Sequence, residues 1–103
     1  MAFRKRNRNP KPGDIVINKN NKAEYANNHP LLQHSADSAF VMTTKEKPSS
    51  GDSTYKVNNN DAVGFDAGSS YVTSREVTNT EGIKIGKLKP SALNRIKQWF
   101  LNL

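Results

Sequence analysis

Apolar residues in this chain come in short runs, each cut off by polar breakers. The first is Asp14-Ile15-Val16-Ile17, ended by the polar cluster at 18–22, and Leu31-Leu32-Gln33 and Ala39-Phe40-Val41-Met42-Thr43 are the next two. Runs this short, rich in β-branched and apolar residues and bounded by Asn, Pro and Asp, predict strands. Residues 47–52 (KPSSGD) predict a loop. After it, Tyr55 and Val57 share one face of an alternating segment over 53–57, the pattern of a half-buried strand. A second loop holds Asn58, Asn59, Asn60 and Gly64, and residues 70–74 predict a further strand. Residues 76–80 fit either an extended segment or a turn, and 82–88 read as the crossing into the last element.

That last element is the clearest helix. Leu93, Ile96, Phe100 and Leu103 recur at steps of three and four, while Asn94, Arg95 and Lys97 point elsewhere. Pro90 suits its first turn. Several short strands closed by one amphipathic helix predict a mostly β (α+β) fold, a small curved antiparallel sheet or barrel with the helix as its lid. Residues 1–12, closed by Pro10 and Pro12, read as a flexible basic arm, and the folded domain as 13–103.

Composition narrows the class. At 103 residues there is room for one core, and a hydrophobic share of 34% makes that core modest enough to favour a partner surface. Sixteen Lys and Arg against nine Asp and Glu leave a net charge of +7, and Arg4, Lys5, Arg6, Arg8 and Lys11 all precede the first acid, Asp14. Such a chain gains affinity for polyanions by releasing their condensed counterions. With no cysteine there is no disulfide, thiolate ligand or cysteine nucleophile, and two histidines with scattered acids argue against a metal site. No apolar run approaches the ~20 residues of a membrane span, and no signal-peptide core follows the basic start. A cytoplasmic protein without cofactor is the expectation.

Three segments, in order, resemble the MazF/PemK (Kid) toxins of bacterial toxin-antitoxin systems. Pro12-Gly13-Asp14-Ile15-Val16 is similar to the strand that opens those proteins. Glu24-Tyr25-Ala26-Asn27-Asn28-His29-Pro30-Leu31-Leu32 resembles their E-Q-x-x-x-R-P and apolar strand, and Val41-Met42-Thr43-Thr44 their strand ending in a hydroxyl pair. Ser70-Tyr71-Val72, then Ile85-Gly86-Lys87-Leu88-Lys89-Pro90 and the helix, resemble their C-terminal half. The resemblance spans most of residues 12–103. It implies an SH3-like barrel, a homodimer whose groove binds single-stranded RNA, metal-independent cleavage, and an acidic, partly disordered antitoxin as protein partner.

Cleavage of RNA without a metal uses the neighbouring 2′-hydroxyl as nucleophile, so the protein must take up one proton, return another to the leaving 5′-oxygen, and stabilise the phosphorane. In the family an arginine before the proline and a strand-end threonine carry much of this. Thr43 stands in the threonine's place with Thr44 beside it, but the arginine is replaced by His29, which offers an acid or base and no bidentate fork. A second departure is Thr73, where many relatives have arginine. The candidate catalytic residues are therefore His29, Thr43 and Glu24. Candidate RNA contacts are Thr44, Tyr25 as a stacking platform, Lys45, Lys47 and Arg75, with Arg4 and Arg6 of the arm.

Each candidate also has an ordinary structural role: His29 an exposed loop histidine, Glu24 a solvated carboxylate, Thr43 and Thr44 plain strand residues, Tyr25 a packing group, the lysines a solvated face. His34 carries no assigned role, and Trp99 and Phe100 fit core or interface. The rivals to a ribonuclease toxin are a non-cutting relative that binds nucleic acid or protein, and an unrelated SH3-like adaptor of the translation machinery.

Overall fold

Continuous apolar runs mark strands buried on both faces, and three of the predicted strands are of that kind. The computed structural model describes residues 6–65, 68 and 70–103. The strands are β1 (Arg6–Arg8), β2 (Asp14–Ile17), β3 (Leu31–Gln33), β4 (Ser38–Thr43), β5 (Thr54–Lys56), β6 (Ala62–Val63), β7 (Tyr71–Thr78) and β8 (Glu81–Leu88), followed by α1 (Pro90–Leu101). All pair antiparallel in the order β1-β8-β2-β3-β4-β7-β5, with β6 on β8. On β2, β3 and β4, Ile15, Leu32, Phe40 and Met42 face α1, packing with Ala92, Leu93 and Ile96. Their neighbours Val16, Leu31, Ala39 and Val41 face the other way, under Ala26 and Val77.

Connectivity forces the sheet to curl. β7 and β8 are four steps apart in strand order, about 19 Å in a flat sheet at ~4.8 Å per step. Yet only Asn79 and Thr80 join them, a link that reaches at most about 11 Å. Register breaks between Ile15 and Val16 and between Phe40 and Met42 supply the bending. The result is the expected small curved antiparallel sheet with a helix on it. The segment 76–80 resolves into the end of β7 and a two-residue corner.

Two expectations change. Residues 82–88 are part of a full strand, β8, which pairs with β1, β2 and β6. Its inward positions include Gly82 and Gly86, so the alternation that marks a strand is missing from the sequence. A Cβ on Gly86 would lie 2.4 Å from the Cβ of Phe65, which crosses the strand there. Residues 6–10 also depart from the expected flexible arm. Residues 6–8 pair with β8, Asn9 N–H donates to Thr80 O at 2.7 Å, and Pro10 is buried, because the upper half of β8 offers a free edge. Arg4 lies outside the described residues.

The helix stripe is right as far as Phe100, whose ring meets Phe40 at 4.8 Å; Trp99 meets Tyr55 at 5.7 Å. Leu103 lies past the helix end and is 62% exposed, so it does not extend the stripe. Arg95 ties the helix to Asp61 at 2.7 Å. Asp14 is buried and held by Lys84 Nζ at 3.2 Å and by the Lys11 N–H at 3.0 Å. No helix among the described residues is long and apolar enough to cross a membrane.

Candidate functional site

The β3–β4 register decides where the candidates meet. Leu31 faces Val41, and Met42 N–H donates to Pro30 O at 2.9 Å, so continuing the antiparallel count sets His29 opposite Thr43. His29 is extended (φ −126°, ψ 151°), as a residue before proline prefers, and closes the 3-10 turn Ala26–Asn28. A cleft of about 410 Å³ opens beside this pair. Six candidates line it: Tyr25, His29, Thr43, Thr44, Lys45 and Arg75. Glu24 and Lys47 are exposed and stand outside its wall, and Arg6 sits in β1, a strand at the end of the sheet order.

A bulge shapes the far wall. Between the pairs Phe40↔Glu76 and Met42↔Val72, β7 has two more residues than β4. Val41 O thereby loses a ladder partner, and the buried Thr73 Oγ1 replaces it, donating at 2.7 Å and accepting from Arg75 N–H at 3.2 Å. Thr73 is thus a structural hydroxyl, and Arg75, two residues on, brings the arginine into the cleft. Bulges commonly re-aim side chains in this way. Thr43 Oγ1 accepts the Lys45 N–H at 3.2 Å, which turns the chain into the 44–53 loop.

Arg75 is engaged on two sides. Its Nε donates to Asp52 Oδ2 at 2.9 Å and its Nη2 to Asp52 Oδ1 at 3.4 Å, while its Cζ lies 4.8 Å from the Tyr25 ring centroid. Hydrogen bonding from Arg75 holds the Asp52 carboxyl below its ordinary range, against the opposing pull of partial burial, and the Ser50 hydroxyl adds to it at 2.8 Å. The same contacts, Asp52 first and Tyr25 second, push the Arg75 guanidinium higher. Asp52 and Ser50 also line the cleft. Sequence reasoning missed both, since nothing local links Asp52 to an arginine 23 residues away.

The cleft has neighbours. A cavity of about 570 Å³ shares His29, Met42, Thr43 and Thr44 with it, so the histidine-threonine pair stands between two hollows. Another, of about 530 Å³, shares Tyr25 and is walled by Asn18, Asn21 and Asn79. The asparagines there are occupied: Asn18 Nδ2 donates to Asn79 Oδ1 at 2.9 Å, and Asn79 Nδ2 to Gln33 Oε1 at 3.0 Å. The second histidine, His34, lies elsewhere. Its ring stacks on Phe40 at 4.2 Å, and its Nε2 is 2.6 Å from Glu76 Oε2 without hydrogen-bond alignment.

The cleft therefore joins an imidazole, two threonine hydroxyls, a lysine, a guanidinium and an open aromatic ring, with one acid neutralising the guanidinium. These are groups for proton transfer, phosphate binding and base stacking. Compared with protein-family models, with curated proteins and with solved structures, the chain has no match.

Proposed function

We propose that this chain is an endoribonuclease toxin of the MazF/PemK kind, which binds single-stranded RNA in the cleft over β4 and β7 and cuts it without a metal. The observation that carries the proposal is that His29 and Thr43 line one cleft together with Lys45, Arg75 and Tyr25. The net charge of +7 supports a polyanionic substrate. His29 moves the proton, the Thr43 and Thr44 hydroxyls hold phosphate oxygens, and Tyr25 stacks a base. With Glu24 outside the cleft wall, His29 is the residue assigned to acid-base work. The 2′-hydroxyl gives its proton to His29 and attacks phosphorus, the P–O5′ bond breaks, the 5′-oxygen takes that proton from His29 as it leaves, and a 2′,3′-cyclic phosphate results. A homodimer and an acidic antitoxin belong to the same proposal.

The test is induced expression with mapping of new RNA ends, followed by cleavage by the purified protein in EDTA. Growth arrest with cuts at one short motif is expected, and His29→Ala is expected to slow cutting by about 10²- to 10⁴-fold, the usual worth of a general acid-base group. A His29→Ala protein as fast as its parent overturns the catalytic assignment. The pairing of Arg75 with Asp52 favours a second reading, a module that binds RNA and leaves it intact. It expects RNA of unchanged length under conditions where binding is complete.

A further inference from the structure

Arg75, the one arginine lining the cleft among the described residues, already has a carboxylate in its fork. Asp52 meets Arg75 through both oxygens, at 2.9 and 3.4 Å, the two-point geometry by which a guanidinium also takes a phosphate. Asp52 is set for this contact from outside the sheet: it closes the 47–52 loop, Ser50 Oγ donates to its Oδ2 at 2.8 Å, and Ser53 N–H reaches Ser74 Oγ at 3.1 Å to lay the loop against β7. Neither partner is deeply sealed, with side chains 37% and 19% exposed for Arg75 and Asp52. One face of Tyr25 is covered by the guanidinium, and the residue remains 41% exposed.

We propose that Asp52 occupies, in the unliganded protein, the place on Arg75 that a phosphate of bound single-stranded RNA takes, so that Arg75 and Tyr25 form a nucleotide subsite which RNA must open by displacing Asp52. This rests on the RNA-binding reading of the cleft. The carboxylate is a built-in competitor: a neutral or weakly charged ligand does not displace it, and a phosphodiester with its base stacked on Tyr25 does. Asp52 thus sets affinity and discriminates against ligands without a phosphate, while leaving His29 and Thr43 untouched.

The experiment is binding of a labelled, mixed-sequence 12-nucleotide RNA with 2′-O-methyl riboses, which blocks cleavage, followed by fluorescence anisotropy across a KCl series. Asp52→Asn is expected to tighten binding by about two- to fivefold, the worth of a partly exposed ion pair that no longer has to be broken. It is also expected to steepen the salt dependence by up to about 0.7 in the logarithmic slope, one additional phosphate contact to a single strand. Arg75→Ala weakens binding, and adding Asp52→Asn to it gives no gain. Asp37→Asn, which removes an exposed acid from the β3–β4 turn, controls for net charge and is expected to give less than Asp52→Asn. Thermal unfolding checks that each variant is folded, with Asp52→Ser as the second route if the amide is not. Unchanged or weaker binding by folded Asp52 variants overturns the inference, as does a gain that survives in the Arg75→Ala background. A parent protein that fails to bind the RNA overturns the reading beneath it as well, whereas salt-sensitive parent binding with no Asp52 effect overturns this inference alone.

Discussion

Asn79→Ala tests whether the corner between β7 and β8 holds the fold together. Asn79 is 2% exposed, and its Oδ1 accepts from Asn18 Nδ2 at 2.9 Å and Asn21 Nδ2 at 3.2 Å. Its Nδ2 donates to Gln33 Oε1 at 3.0 Å and to Glu81 O at 2.9 Å. Truncation leaves Asn18 (5% exposed) with an unpaired donor and Gln33 (0% exposed) with an unpaired acceptor. Gln33 cannot flip to recover, because its Nε2 donates to Asn79 O at 2.6 Å and Ser35 O at 2.9 Å. Asn21 is only half-buried, so water can take over there. Two stranded buried groups at ~1–3 kcal/mol each put the loss at about 2–6 kcal/mol. For a domain this size, taking about 4 kcal/mol as the centre, that is a fall in Tm of roughly 16–32 °C. Urea unfolding followed by circular dichroism measures it. A loss below about 1 kcal/mol with an unchanged m-value refutes the reasoning, because it means the network does not carry the corner.

Two further perturbations probe the scaffold and the site. Gly86→Ala drives a Cβ to 2.4 Å from that of Phe65 and to 3.1 Å from Val63 O, so the 63–65 segment must lift from β8; a cost of about 1–3 kcal/mol in the same unfolding assay is expected, and a neutral substitution contradicts the close approach. For the cleft, Asp52 has a folded pKa below its unfolded one, because Arg75 stabilises the carboxylate. Its contribution is therefore fully present above the unfolded value of about 3.9 and is lost as pH falls through the lower folded value. The stability gap between the parent and Asp52→Asn should then be constant from neutral pH down to that region and narrow below it, and a gap that widens on acidification has the wrong sign.

Much of the candidate site was legible because its parts are local motifs. His29-Pro30 and Thr43-Thr44 each flank an apolar run, and once two adjacent runs pair antiparallel, the residues just outside them face each other. Arg75 and Lys45 joined them because β7 and the loop after β4 border the same pair. Glu24 did not, since the 3-10 turn that follows it carries Tyr25 and His29 to the cleft and leaves the carboxylate in solvent. Asp52 was invisible: its meaning comes from an arginine on another strand.

By itself the sequence determined what depends on near neighbours. Apolar runs cut by breakers produced β2, β3 and β4, the three-and-four spacing of Leu93, Ile96 and Phe100 produced α1, and excess Lys and Arg produced a basic chain. Only the tertiary structure decided what depends on distant pairing. It made a strand of 81–88 although glycines occupy inward positions, drew residues 6–8 onto that strand's free edge, and turned Thr73 into a ladder bond. It also closed Asp52 on Arg75. The physical reason is common to all of these: each is stabilised by a backbone edge, a cavity or a charge that another part of the chain supplies, and no window of neighbouring residues contains it.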